Sequence, residues 1–302
     1  MGDFQPLIEA IALLFLVVCG FALLRAIEQR RAPLRLTLGV PRRSTSRAEW
    51  ATGVAIGWAI AVASVVPMVL TRSLNVQLWT TPRAFELAAL SVATLLVATL
   101  AHTLGVFGYG FQRLIEATGP VRATLILVGL AAVHAVMTPA PFETPYGTRI
   151  LVTMLGALFL SLCWQRTHGL WLGWGFYFAW AASTAVLFGL PLSGDTSWSS
   201  VVDARAGGPV WLTGGDYGPA AGFLSLVLLI AAVPILVRAT SDWAWSYTHP
   251  PLIPAGYDVT IAPPAAHVAM EEAAAAQPMN PASLVQILPA TPREPVAGAP
   301  SE

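Results

Sequence analysis

The sequence predicts an all-α protein, a polytopic transmembrane helix bundle of about seven spans, and three observations lead there. Hydrophobic residues make up 56% of the 302-residue chain and charged residues only 11%, against roughly 25% charged in an ordinary soluble domain. Apolar runs near the 20 residues needed to cross a hydrocarbon core of about 30 Å recur along the chain. The arginines, moreover, are distributed unevenly between the segments that join these runs.

The expected spans are Leu7 to Ile27, Ala51 to Leu70, Phe85 to Phe107, Val121 to Met137, Ile150 to Trp164, Leu170 to Leu190 and Ala220 to Val237. The fifth is the shortest. The chain contains no lysine, and Arg25, Arg30, Arg31, Arg35, Arg42, Arg43 and Arg47 crowd the segment after the first run. The positive-inside rule makes that segment cytoplasmic. Alternation then places Arg113, Arg122, Arg166 and Arg238 inside and leaves Arg72, Arg83, Arg149 and Arg205 outside. The expected topology is N-terminus outside and C-terminus cytoplasmic, in a multi-pass protein of the cell (inner) membrane. No positive charge precedes the first run, so it reads as a retained anchor and not a cleaved signal peptide.

Two further segments punctuate the spans. Pro191 to Pro219 is too long for a simple connection, and its aromatic residues and Gly-Pro turns predict an ordered cap on the outer face. After about residue 240 the chain turns proline- and alanine-rich with few charges, the composition of a disordered segment. Two domains are therefore expected: a membrane domain over 1–240 and a disordered Pro/Ala-rich cytoplasmic tail over 241–302, with a short helix around Glu271 and Glu272 between Ala265 and Gln277. Gly53 and Gly57, four residues apart in the second span, are suited to close helix approach. Cys19 and Cys163 both fall within spans, which gives no support for a disulfide framework.

A formal net charge of zero offers no basic field for nucleic acid. The expected partners are the lipid bilayer and, within it, a membrane-inserted peptide or protein. Polar groups deep in the spans are few, and each is informative because it needs a partner or a cavity. His102 and His134 are the clearest. As a zinc pair they lack a third ligand: Glu86 lies sixteen positions before His102 on the same helix, roughly 24 Å away at about 1.5 Å per residue. No cofactor is expected.

One ordered set of segments carries more specific information. Arg166-Thr167-His168-Gly169-Leu170-Trp171 is followed by Gly175-Phe176-Tyr177-Phe178-Ala179-Trp180 and by Gly189-Leu190-Pro191-Leu192-Ser193-Gly194, and later by Leu212-Thr213-Gly214-Gly215-Asp216-Tyr217-Gly218-Pro219. These resemble the RTGSLW, GxHxxWN, GxPxSG and LTGGxxGP stretches of the CPBP (CAAX protease and bacteriocin-processing, or Abi) family of intramembrane endopeptidases. Upstream, Phe107-Gly108-Tyr109-Gly110-Phe111-Gln112-Arg113-Leu114 resembles that family's FRGYLFQRL segment. The resemblance covers roughly residues 85–237 and implies a CPBP-like membrane bundle in a bacterial cell.

What the resemblance implies about activity is a loss. The family's EExxxR motif falls on His102, Thr103 and Phe107, its FxxxH motif on Leu130 and His134, and its HxxxN motif on Tyr177 and Ala181. The glutamate that activates water, the arginine that holds it and the asparagine suited to polarising the carbonyl are all replaced. His134 is the one catalytic position retained. The resemblance thus implies a CAAX-type endopeptidase homologue that is catalytically degenerate, a pseudoprotease holding a membrane peptide or protein. The alternative is an active intramembrane endopeptidase with an altered catalytic set, and a carboxylate within reach of His134 would favour it. A transporter would instead show an inverted repeat, and none is visible.

Overall fold

The computed structural model describes residues 2–28, 33–78 and 81–248, and beyond them positions 269, 270, 272, 273 and 276. Two compact units are present, Met1–Pro250 and Pro251–Glu302. In the second, the described residues Ala269, Met270, Glu272, Ala273 and Ala276 are helical, within the short helix expected there. The expected disorder of the rest of the tail lies outside the described residues.

The first unit is an all-α bundle. Its helices are α1 (Gln5–Ile27), the short α2 (Leu34–Thr37), α3 (Ser46–Leu70), α4 (Pro82–Phe107), α5 (Tyr109–Thr118), α6 (Pro120–Met137), α7 (Tyr146–Thr167), α8 (Trp171–Ala182), α9 (Val210–Thr213), α10 (Phe223–Ala239) and α11 (Ser241–Thr248). Among the described residues, five helical segments are long and apolar enough to cross a membrane: α1, α3, α4 continued by α5, α6 and α7. A sixth arises if α10 and α11, bent by 54°, form one span. Helix α11 falls within this first unit.

The difference from seven has a local cause. The run Leu170 to Leu190 yields a 12-residue α-helix that passes into a π-turn at Ser183–Leu187, where the wider turn spends residues without the usual rise. The run Ala220 to Val237 begins with a 3-10 turn at Pro219–Ala221, so α10 starts only at Phe223 and has 17 residues. The fifth run errs the other way: α7 has 22 residues and takes in Tyr146 to Arg149.

Helix α1 shows why the surrounding medium must be apolar. Only Ala10 on it is buried, while Phe15, Leu16 and Leu23 are exposed around its girth. A water-facing helix would carry a polar face. At the centre, α3 and α8 meet backbone to backbone. A Cβ added at Gly53 would lie 2.1 Å from the Leu172 carbonyl oxygen, one at Gly57 2.3 Å from that of Phe176, and one at Gly175 2.3 Å from that of Trp50. The four-residue glycine spacing therefore does what small residues do between membrane helices. The Trp174 indole, donating to the Leu96 carbonyl at 3.1 Å, joins α8 to α4.

The two ends of the bundle differ. At one end arginines hold helix C-termini: Arg43 Nη1 donates to Thr167 O at 2.5 Å, and Arg166 donates to Val237 O at 2.8 Å and to Thr240 Oγ1 at 2.9 Å. Cations at those carbonyls also complement the helix dipole. Glu49, fully buried in the first turn of α3, accepts from the Thr45 hydroxyl at 2.9 Å and from the Tyr247 phenol of α11. At the other end lies an antiparallel pair, β1 (Leu74–Leu78) and β2 (Val202–Ala206), in the register Leu74 to Ala206 and Val76 to Ala204. The expected cap over 191–219 is ordered by β2, α9 and two 3-10 turns.

Candidate functional site

The site forms where four helices leave a gap. Helix α4 packs chiefly on α1 and α8, and α6 on α5 and α7, with no comparable packing between α4 and α6 among the described residues. Between them lies a cavity of about 540 Å³, within the range of about 300–1,000 Å³ typical of ligand sites.

Each wall is one face of a helix. From α6 and its C-cap come Leu127, Leu130, Ala131, His134, Ala135 and Thr138, and from α7 Arg149, Val152, Thr153, Gly156, Ala157 and Leu160. Steps of three and four residues keep such sets on one helical face. Helix α4 contributes His102, Val106 and Phe107, and α8 contributes Phe176, Tyr177 and Trp180. Leu192, Ser193 and Tyr217 from the cap, with Ala220 and Leu229, complete the enclosure.

Four of the six positions singled out in the sequence, His102, Phe107, His134 and Tyr177, line this one cavity from three helices. The His102 and Tyr177 rings lie 5.1 Å apart between centroids, and His134 Nε2 is 3.5 Å from the Thr138 hydroxyl. The other two positions do not face it. Thr103, next to His102 and therefore about 100° around the helix, is buried and donates to the Thr99 carbonyl of its own helix at 2.8 Å. Ala181, one turn past Tyr177, is buried in a cluster with Ala88 and Leu95 of α4.

Among the described residues no aspartate or glutamate lines the cavity. Glu86 is exposed, Glu116 pairs with Arg113, and Glu143 lines a different cavity of about 820 Å³ at the cap end. Among the described residues no three His, Cys, Asp or Glu side chains are grouped to hold a metal ion.

The charged side chain among the described lining residues is Arg149, which the expected spans leave in a loop. It is 1% exposed. Nη2 donates to the Ala135 carbonyl and, at 3.2 Å, to that of Thr138, while the guanidinium carbon lies 4.9 Å from the Tyr146 ring centroid and 5.3 Å from that of Tyr217. A usable signal was present. A fifth span of 15 residues is too short for the bilayer, and extending it towards its N-terminus draws Arg149 inside. Tyr217 and Thr138 gave no comparable signal, because the cap and the end of α6 bring them in only through folding.

Comparison of the chain with family models, with curated proteins and with solved structures gives no match.

Proposed function

We propose that this chain is a catalytically degenerate relative of the CPBP intramembrane endopeptidases, which holds a membrane-inserted peptide or protein in the cavity between α4, α6, α7 and α8 without cutting it. In this reading it crosses the cell membrane seven times, the helix Trp171–Leu187 and α10 completing the set. The N-terminus is outside and the C-terminus cytoplasmic.

The observation that carries the reading is the convergence of His102, Phe107, His134 and Tyr177 on one cavity that has no carboxylate among its described lining residues. That motif positions spread from 102 to 177 in the sequence meet in one cavity supports the ordered resemblance. Hydrolysis of a peptide bond needs a base to activate water. In this cavity the candidates are two imidazoles, and Thr138 is the one hydrogen-bond partner of the His134 ring among the described residues. The lack of a carboxylate beside either imidazole among the described residues supports binding without turnover.

The test is incubation of the purified full chain with prenylated CAAX peptides and with generic membrane peptides. The expected result is retention without cleavage. Cleavage by the native chain that is abolished in His134→Ala and unaffected by inhibitors of contaminating proteases would overturn the reading in favour of an endopeptidase with an altered catalytic set.

A further inference from the structure

We propose that the cavity is a binding site for a lipid anion, an amphiphile whose carboxylate or phosphate head docks on Arg149 and whose apolar chain lies along α7. The inference uses only the geometry of the cavity and does not rest on the ancestry argued above.

The first support is a charge without a counter-ion. A guanidinium stays protonated at any physiological pH, and a cation inside a membrane protein is paired, hydrated in a cavity or serves a function. Arg149 is in no ion pair among the described residues. Its Nη2 braces the C-terminal end of α6 and its plane lies by the Tyr146 and Tyr217 rings, but among the described residues Nε is buried with no hydrogen-bond partner and Nη1 donates none. A strut between α6 and α7 accounts for Nη2 alone. A carboxylate or phosphate oxygen is the natural acceptor for the remaining edge of a planar fork.

The second support is the gradient along the cavity. Arg149, Thr138, His134, Ser193 and Tyr217 gather at the cap end, and Leu127, Leu160 and Phe107 lie at the other. From Arg149 to Leu160 the α7 wall runs about 16 Å at about 1.5 Å per residue. Gly156 and Ala157 stand along it, and a Cβ added at Gly156 would meet no atom within 4 Å. This is room for an unbranched chain below a charged head. The third support is access. The gap between α4 and α6 has Leu130 and Val106 at its lips, exposed by 57% and 37%, so an acyl chain enters sideways from the bilayer without crossing water.

The experiment is titration of the purified full chain in neutral detergent, read by native mass spectrometry, with two matched pairs: oleate against oleyl alcohol, and phosphatidylglycerol against diacylglycerol. At least one anion is expected to bind one-to-one and at least tenfold tighter than its neutral counterpart, and the pair that shows this identifies the head as carboxylate or phosphate. Acetate and inorganic phosphate are expected not to displace it, since they lack the chain. Arg149→Gln is expected to abolish the preference. Because that change also removes the brace on α6, Gly156→Leu serves as the second variant: it leaves Arg149 in place, fills the channel and is expected to weaken binding at least tenfold, while Gly129→Leu, at another open position on α6 away from the cavity lining, leaves it unchanged. Equal binding of anions and neutral counterparts, displacement by acetate or phosphate alone, or full binding by a folded Gly156→Leu chain overturns the proposal. Peptide cleavage by the native chain would overturn the preceding functional reading and leave this one standing.

Discussion

His168 closes α7 in the left-handed conformation, φ +46°, with its amide donating to the Trp164 carbonyl at 2.6 Å. Burial, and then the Arg43 guanidinium beside it, hold its imidazole below the ordinary histidine value of 6.5. The sign follows from linkage. The folded chain binds this proton less readily than the unfolded chain, so the contribution to stability is complete above about pH 6.5 and is lost as pH falls below it. Asparagine tolerates the left-handed region and does not titrate. Thermal melts of the detergent-solubilised protein between pH 7 and pH 5 should therefore show a smaller fall in Tm for His168→Asn than for the native chain; equal falls would assign the effect to other groups. At this scale the intramembrane histidines His102 and His134 were legible because a polar residue in an apolar run needs a reason. Arg149 was not, since the apolar run begins at Ile150, four residues after α7 itself, and so leaves a buried guanidinium in a loop.

Among the elements, the α3–α8 pair is the most constrained. Oxygen contacts of 2.1 to 2.3 Å for added Cβ atoms at Gly53, Gly57 and Gly175 are with backbone carbonyls, which cannot swing aside as side chains do. Gly57→Ala should push the helices apart and destabilise the bundle by about 1–3 kcal/mol, the usual cost of overpacking. Alanine at Gly110, where nothing lies within 4 Å, should cost far less. The comparison is read from the melting temperatures of the two variants, and a Gly57→Ala chain as stable as native would refute the close approach. The GxxxG spacing made Gly53 and Gly57 readable in advance, but their partner helix was not. Strand β1 is likewise not legible from its own residues. Leu74-Asn75-Val76-Gln77-Leu78 alternates apolar and polar as a strand does, yet its partner β2 lies more than 120 positions away, and a single short strand has no meaning until the fold supplies the second.

For the whole molecule, the arginines decide orientation. Arg43 and Arg166 tie helix ends at one pole, and Arg113 meets Glu28 there at 3.3 Å, whereas Arg83 faces Asp3 at 3.6 Å at the pole that carries the cap. With the positive-inside rule, a tag inserted between Arg30 and Arg47 should be protected in intact cells and one between Asp195 and Asp216 should be accessible from outside. Both tags on one side would reject the topology, and the reverse pattern would invert it.

The sequence by itself determined that this chain is a bundle of apolar helices, where most of those helices begin and end, and which end is rich in arginine. Those properties follow from composition and from runs of neighbouring residues, and lipid tolerates no other backbone arrangement than one that satisfies itself locally or closes into a barrel. Tertiary structure alone decided that His102, Phe107, His134 and Tyr177 share a cavity while Thr103 and Ala181 do not, and that Arg149 joins them with no counter-ion among the described residues. A helix face is fixed by spacing, but which faces meet, and where two helices fail to meet and leave a cleft, depends on contacts between residues far apart in the chain.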